Sequence, residues 1–320
     1  MMGVLTFILK RIGTIALSLF CIIAITYLLM WAAPGNFFDI QRFSTAAQSS
    51  QMTAEQVAIL QRSFEEKYGL DQPLWKQIIR FTWDAFRFKF GPSFSNPVRS
   101  IESMIAERFP VSLGLTLMAI TFSLVVGIPL GILAALKRNT WIDYLTMFLS
   151  MLGQSIPGFV IAVLLVYIFS NKLGWLPVSG WDGPKYVILP VITLGLTSMA
   201  GTAKFMRASL LDTLRQDYIR TAYAKGGTDQ AVMFGHAIKN SLIPIATILG
   251  PQIAYLIFGS VIIEYLFRVP GMGQLFVAAA GQRDYPLLVT STYVLALMVM
   301  VMNLIVDLIY GLLDPRNKLR

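Results

Sequence analysis

The sequence predicts an all-α, polytopic membrane protein with about six transmembrane helices. Composition is the first observation behind this: 56% of the 320 residues are hydrophobic and only 13% are charged, with a mean hydropathy of +0.65. Soluble domains run at about 45–50% apolar and about 25% charged, so this chain carries too little charge to face water throughout. The second is a set of uncharged apolar runs at Ile12–Ala33, Phe109–Leu136, Tyr144–Ser170, Tyr186–Ala203, Leu242–Ile263 and Tyr285–Val306. Each is near or above the ~20 residues with which a helix crosses ~30 Å of hydrocarbon. The third is where the charge goes. A formal charge of +9 reads here as basic residues gathered in short loops and gives no sign of a nucleic-acid surface.

Taken in order, residues 1–33 form an N-terminal segment and the first span. Lys10 and Arg11 precede that span, which is longer than the ~7–15-residue apolar stretch of a signal peptide and is expected to be retained. Cys21, the one cysteine, lies inside it, cannot form an internal disulfide, and serves as a small hydrophobe.

Residues 34–108 read as an extracytoplasmic insertion with two short helices. Thr53 can cap the first, with Gln56 reaching back in a capping box. Val57, Leu60 and Phe64 line one face, and Gly69 ends the helix. A second amphipathic stretch begins after Pro73 with Leu74, Trp75, Ile78 and Ile79. The insertion is either a small cap on the outer membrane face or a docking or gating element.

Residues 109–320 would then be the core domain. Gly127, Pro129 and Gly131 are expected to interrupt the second span, Gly153 and Pro157 the third, Pro190 and Gly195 the fourth, and Pro244 and Pro251 the fifth. Backbone groups freed in lipid must find partners in other helices or in a water-lined cavity, so this density favours helices packed around a path. Polar residues at membrane depth are few. Gln154 and Ser155 beside Pro157, and Gln252, Tyr255 and Ser260 in the fifth span, are candidates for lining that path, although Gln154 and Gln252 could equally hydrogen-bond between helices. Asn303 and Asp307 lie in the sixth span, Asp307 near its cytoplasmic end. Glu264 is expected where the fifth span meets the outer surface.

The segment 204–241 is the most informative. It is polar and rich in Lys and Arg, yet sits between two long apolar runs. Leu210, Leu211, Leu214 and Tyr218 recur at helical spacing, which predicts one amphipathic helix ending at Gly226-Gly227, where glycine reaches the left-handed conformation cheaply. Thr228 can cap a second helix with Asp229 at its positive end, and Val232, Met233 and His236 share a face of it. Such a knob suits a groove on a soluble partner, or lipid headgroups.

Orientation follows from the short loops. Lys10, Arg11, Lys137, Arg138, Lys204, Arg207, Arg215, Arg220, Lys225, Lys239, Arg316, Lys318 and Arg320 fall on one side, against Lys172, Lys185, Arg268 and Arg283 on the other. Both termini and 204–241 are therefore expected in the cytoplasm. The chain carries no G-x-x-x-x-G-K-[S/T] loop, and its single histidine, His236, excludes H-E-x-x-H. No nucleophile–base pair stands out. The chain is expected to be no enzyme, with no metal site, and an energy-driven process would need its ATPase on another chain.

Asp217-Tyr218-Ile219-Arg220-Thr221-Ala222-Tyr223-Ala224-Lys225-Gly226, followed by His236-Ala237-Ile238-Lys239-Asn240 and Pro244, resembles the coupling loop of ABC importer permeases. The similarity is to the dipeptide/oligopeptide/nickel branch: Arg220-Thr221-Ala222 stands where importers in general open with Glu-Ala-Ala, and Lys239 stands where proline is common. Phe7-Ile8-Leu9-Lys10-Arg11, Tyr68-Gly69-Leu70-Asp71-Gln72-Pro73, Gly127-Ile128-Pro129-Leu130-Gly131, Pro270-Gly271-Met272-Gly273, Arg283-Asp284-Tyr285-Pro286 and the tail Asn303–Gly311 with Asp314-Pro315-Arg316 extend the resemblance over nearly the whole chain.

The resemblance implies a type I ABC importer permease fold in a bacterial plasma membrane. Asp217, Arg220, Thr221, Ala222, Ala224, Lys225, Gly226, His236 and Asn240 would couple to an ATP-binding subunit. Glu264, Pro270, Gly271, Gly273, Arg283 and Asp284 would form an extracytoplasmic gate. Implied partners are a second, homologous permease (a heterodimer), two ATP-binding subunits that hold ATP and Mg, an extracytoplasmic substrate-binding protein and the bilayer, with no nucleic acid. Di- or oligopeptides are the implied cargo, with nickel complexes, glutathione or another small solute as the alternative. A stand-alone proton-coupled transporter is a different class, and would want an ionisable relay at the centres of spans two to five.

Overall fold

The computed structural model describes residues 2–32, 53–69 and 71–313. Among them are helices and connecting turns, one isolated bridge from Pro92 to Ser100, and no strand. In chain order, α1 is Met2–Ala32, α2 Ala54–Tyr68, α3 Leu74–Phe86, α4 Ile101–Leu136 and α5 Trp141–Ser155. α6, Gly158–Leu165, runs on into a π-helical turn, Val166–Lys172. α7 is Pro184–Thr213 and α8 Asp217–Ala224, while α9, Asp229–Val232, passes through a second π turn, Met233–Ala237, into α10, Ile238–Phe267. α11 is Met272–Gln282 and α12 Tyr285–Leu313. Arg316, Lys318 and Arg320, like Asp314 and Pro315, lie outside the described residues, as do the side chains of Val57 and Leu60.

Among the described residues, five helical stretches are long and apolar enough to cross a membrane, or six if α5 with α6 counts as one span. That third expected span is bent by 108°. Ile156, held before Pro157, takes an extended conformation (φ −85°, ψ 124°), because the proline ring clashes with a helical residue in front of it. The other expected interruptions do not occur: α4, α7 and α10 run through Gly127, Pro129, Gly131, Pro190, Gly195, Pro244 and Pro251. The glycines are packing notches. A Cβ on Gly127 would lie 2.8 Å from the Met199 carbonyl oxygen, one on Gly131 2.5 Å from that of Ala203, and one on Gly195 2.8 Å from that of Ala119. Small residues four apart on α4 thus let its backbone approach α7. Gly250 does the same for Asn303 of α12, whose Oδ1 would be 2.8 Å from an added Cβ.

The described residues fall into two compact units. The first takes in Ser112–Val269 and the described part of Val299–Arg320. The second takes in the described parts of Leu5–Val111 and Pro270–Met298. In the second, α2 has the expected capping box, with Thr53 N donating to Gln56 Oε1 at 2.9 Å and Gln56 N to Thr53 Oγ1 at 3.3 Å. Gly69 closes α2 in the left-handed conformation (φ 61°). Phe64 and Tyr68 pack with Phe94, and Phe90 packs with Tyr293. The Tyr68 hydroxyl bonds to the Phe90 and Pro92 carbonyls at 2.9 and 2.8 Å. Burial, and secondarily the charge of Asp284, pushes the Tyr68 phenol well above its ordinary 10.0. A raised folded value means that this contribution to stability is whole below pH 10.0 and is lost as pH climbs through the folded pKa.

In the first unit the segment 204–241 differs from its sequence reading. Residues 204–213 continue α7, and the chain turns at Leu214–Gln216 before α8 begins. The turn is tight, with Arg215 N bonded to Asp212 O and Gln216 N to Thr213 O. It lets Leu210 and Ile219, on opposite sides of the break, enter one buried cluster with Met206, Val232, Ala237 and Ile245.

Candidate functional site

The knob is built on that cluster. α8 ends in a Schellman arrangement: Gly227 N bonds to Ala222 O at 3.2 Å and Gly226 N to Tyr223 O at 2.9 Å, with Gly226 in the left-handed region at φ +85°. Gly227 is as constrained as Gly226, for another reason. A Cβ there would lie 2.9 Å from both the Ala222 oxygen and a Val232 methyl. Thr228 caps α9 as expected, accepting from Ala231 N at 3.4 Å.

The expected shared face of Val232, Met233 and His236 is corrected. Val232 and Ala237 are buried, Met233 is half-buried and His236 is exposed. The π turn at Met233–Ala237 widens the helix, so the inward positions recur five residues apart.

The coupling candidates are accessible on the outside of the knob, Ala222 in part. Asp217, Arg220, Thr221, Ala224, Lys225, Gly226, His236 and Asn240 are exposed, and Ala222 is half-buried above Ile219. Asn240 Nδ2 donates to the Tyr218 hydroxyl at 3.0 Å, which ties α10 to α8. Arg220 and Asp217 are 3.8 Å apart with side chains 79% and 97% exposed, a pair that contributes little. Sequence reasoning missed Phe234, which is 71% exposed within this surface. It also missed an ion pair behind the surface: Arg207 Nε and Nη2 reach Asp143 Oδ1 and Oδ2 at 2.5 and 2.7 Å, joining α7 to α5. The Asn139 N–H adds a bond to Asp143 at 3.0 Å.

The path candidates divide. Gln154, Ser155 and Pro157 are exposed at the α5–α6 break, and Tyr255 is exposed on α10. Gln252 is half-buried and donates to Thr202 Oγ1 at 3.2 Å, the interhelical bond that was one of its two readings. The amide nitrogens of Gln154 and Gln252 both lie close to Gly201, where an added Cβ would stand 3.5 and 3.6 Å from them. Ser260 is buried and donates to the carbonyl of Ile257 in its own helix, so its hydroxyl does not face outward.

The gate candidates also divide. Glu264 lies near the end of α10, with its side chain fully buried. Pro270 and Gly271 lead into α11, Gly273 is buried in its first turn, and Arg283 closes it in the left-handed conformation at φ 53°. Asp284 is a buried clamp within the second unit. Its Oδ1 accepts from Leu287 N at 3.2 Å, an N-cap of α12. Its Oδ2 accepts from Ser93 Oγ, from Ser95 N at 2.8 Å and from Ser95 Oγ at 2.7 Å. Asp284→Ala would strip these donors of their acceptor and is expected to cost about 2 kcal/mol, read as a lower Tm of the purified protein. An unchanged Tm would mean that solvent replaces the carboxylate.

Residues 127–319 match the family described as binding-protein-dependent transport system inner membrane component. The chain is 40% identical over 314 residues to the oligopeptide transport system permease protein OppB of Haemophilus influenzae, covering 98% of this chain and 99% of that one. It is 38% identical over 313 residues to the dipeptide transport system permease protein DppB of Bacillus subtilis, covering 98% of each. Its fold is similar to a chain of the MetNI methionine ABC transporter solved in inward-facing conformations, with a TM-score of 0.56 at 15% identity over 66% of this chain and 96% of that chain. An all-helical bundle of apolar spans, carrying a polar knob and matching over nearly its whole length, is thereby placed: the chain belongs to the binding-protein-dependent transport system inner membrane component family and is a multi-pass membrane permease subunit of an ABC importer.

Proposed function

We propose that this permease carries di- or oligopeptides inward and that nucleotide-driven work reaches it through residues 217–241. The supporting observation is mechanical. The knob's outward residues stand on a shared buried cluster of α4, α7, α8, α9 and α10, so a displacement applied to α8 is passed to the spans instead of being absorbed in a loose loop. ATP and Mg belong to two partner ATP-binding subunits, a substrate-binding protein delivers cargo from outside, and a second, homologous permease completes the path as a heterodimer. Both termini and the knob face the cytoplasm. Peptide cargo is favoured over nickel complexes or glutathione by the peptide permeases that the chain resembles at 38–40% identity. Gln154, Ser155, Pro157 and Tyr255 form the face offered to the path.

Gly226→Asp tests the coupling. A side chain at φ +85° is forced into a conformation that costs roughly 1–2 kcal/mol for an L-residue, though nothing crowds the site. The variant is expected to insert normally while ATP-driven uptake in proteoliposomes, with the binding protein present, falls to background. Full uptake by Gly226→Asp would remove the knob from the mechanism. Competition by peptides, and none by glutathione or nickel chelates, checks the cargo in the same vesicles.

A further inference from the structure

We propose that the groove between α1 and the outward face of α3 is a binding site for one anionic glycerophospholipid, whatever the transporter's cargo. α3 is amphipathic in an unusual way. Ile78, Phe81, Thr82 and Ala85 are buried in the second unit, yet Trp75, Ile79 and Trp83 are 60, 54 and 59% exposed on the other side. The amphipathic stretch expected to begin with Leu74, Trp75, Ile78 and Ile79 thus buries Ile78 and leaves Trp75 and Ile79 outward.

Trp75, Ile79, Trp83 and Phe86 wall an open groove of about 640 Å³ whose other side includes Phe20 of α1. Phe20 lies within the apolar stretch Leu9–Ala32 that is long enough to cross a membrane. The groove is therefore continuous with a lipid-facing surface, and an acyl chain is its natural filling. Indole rings beside such a helix suit the boundary between headgroup and hydrocarbon.

The rim supplies the charge. Lys76 and Arg80 line the groove, and Arg87 caps α3 at its C-terminal end. Lys76 Nζ sits 5.5 Å from the Trp75 ring centre and the Arg87 guanidinium 4.3 Å from that of Trp83. Trp75 thus steadies Lys76 at the groove, and Trp83, another of its walls, carries Arg87 on its ring. Asp84, the one acid of α3, is engaged by Lys67 at 2.8 Å and does not neutralise them. An amphiphile with a negative head and an apolar tail matches both halves of this arrangement. A protein partner would have to bring an acidic residue and an apolar anchor together at the same spacing.

Full-length protein, purified and stripped of lipid, would be offered phosphatidylglycerol or phosphatidylcholine and the bound lipid counted by native mass spectrometry. One phosphatidylglycerol is expected to be retained in preference. The double variant Lys76→Ala/Arg80→Ala is expected to weaken its binding about thirtyfold, from the loss of two cations near the headgroup. The charge-matched control Arg62→Ala/Arg138→Ala should bind as the parent does. In intact cells, a photoreactive benzoylphenylalanine at Trp83 should yield a lipid adduct. Equal retention of the two lipids, an unaffected double variant, or a protein adduct at Trp83 would each overturn the proposal.

Discussion

Asp143→Ala is expected to lower stability by about 3–5 kcal/mol, because it leaves a partly buried guanidinium without its counter-charge. The Asp143 side chain is only 3% exposed and that of Arg207 23%. The two meet through paired bonds of 2.5 and 2.7 Å, a geometry that a water shell reproduces poorly. The same carboxylate accepts from the backbone of Asn139, which is held in the left-handed region at φ 60°, so its removal also frees the turn between α4 and α5. Thermal unfolding of the purified protein in detergent is the readout. A double variant, Asp143→Leu/Arg207→Met, should be milder than Asp143→Ala, since it removes both charges together. If Asp143→Ala melts with the parent, the ion pair contributes nothing and the packing of α5 on α7 stands by itself.

Gly131→Val should be nearly as severe. Its Cβ alone would lie 2.5 Å from the Ala203 carbonyl oxygen and 2.6 Å from Met206 Cβ. Neither is the free end of a side chain, so α4 as a whole must move off α7. Overpacking a core usually costs about 1–3 kcal/mol, and a clash with backbone should exceed that range. The displacement would also pull apart the 3.2 Å contact between Ser123 and Thr202 and disturb the cluster beneath the knob, which includes Met206. The expected result is little monodisperse protein on size exclusion and a much reduced Tm in what remains. Gly114→Ala is the contrast. It sits on the same helix with nothing within 4 Å of an added Cβ, and should gain up to about 1 kcal/mol from helix propensity. Equal melting of Gly131→Val and the parent would mean that the α4–α7 approach is slack.

What was legible in the sequence was local. The Thr53–Gln56 capping box, the stop at Gly69, the Gly226 turn and the Thr228 cap depend on residues within a few positions of each other, and each forms as expected. Hydropathy likewise located every candidate span, since length and composition are read without partners. The role of the span glycines was not legible. A glycine weakens a helix and also lets two helices touch, and only the neighbour across the gap decides which matters. Asp143 and Arg207 lie 64 positions apart, with no periodic signal to join them. The break at Leu214–Gln216 follows from Leu210 and Ile219 converging on one buried cluster, a tertiary demand that overrides the unbroken helical spacing of Leu210, Leu211, Leu214 and Tyr218. Among the path candidates, the bond made by Ser260 was not legible either, because a hydroxyl in an apolar helix can satisfy itself on its own backbone.

The wide turn at Met233–Ala237 holds one residue more than an α-helix would use for the same advance. Deleting a single residue there would let ordinary winding resume, and the helix on either side would keep its bearing. The same deletion further along α10 has no surplus to absorb it, and would swivel everything ahead by roughly 100° about the axis and shift it by about 1.5 Å. The aim of the knob is thus tolerant of a lost residue at this one place, where the ordinary turns of the helix are not.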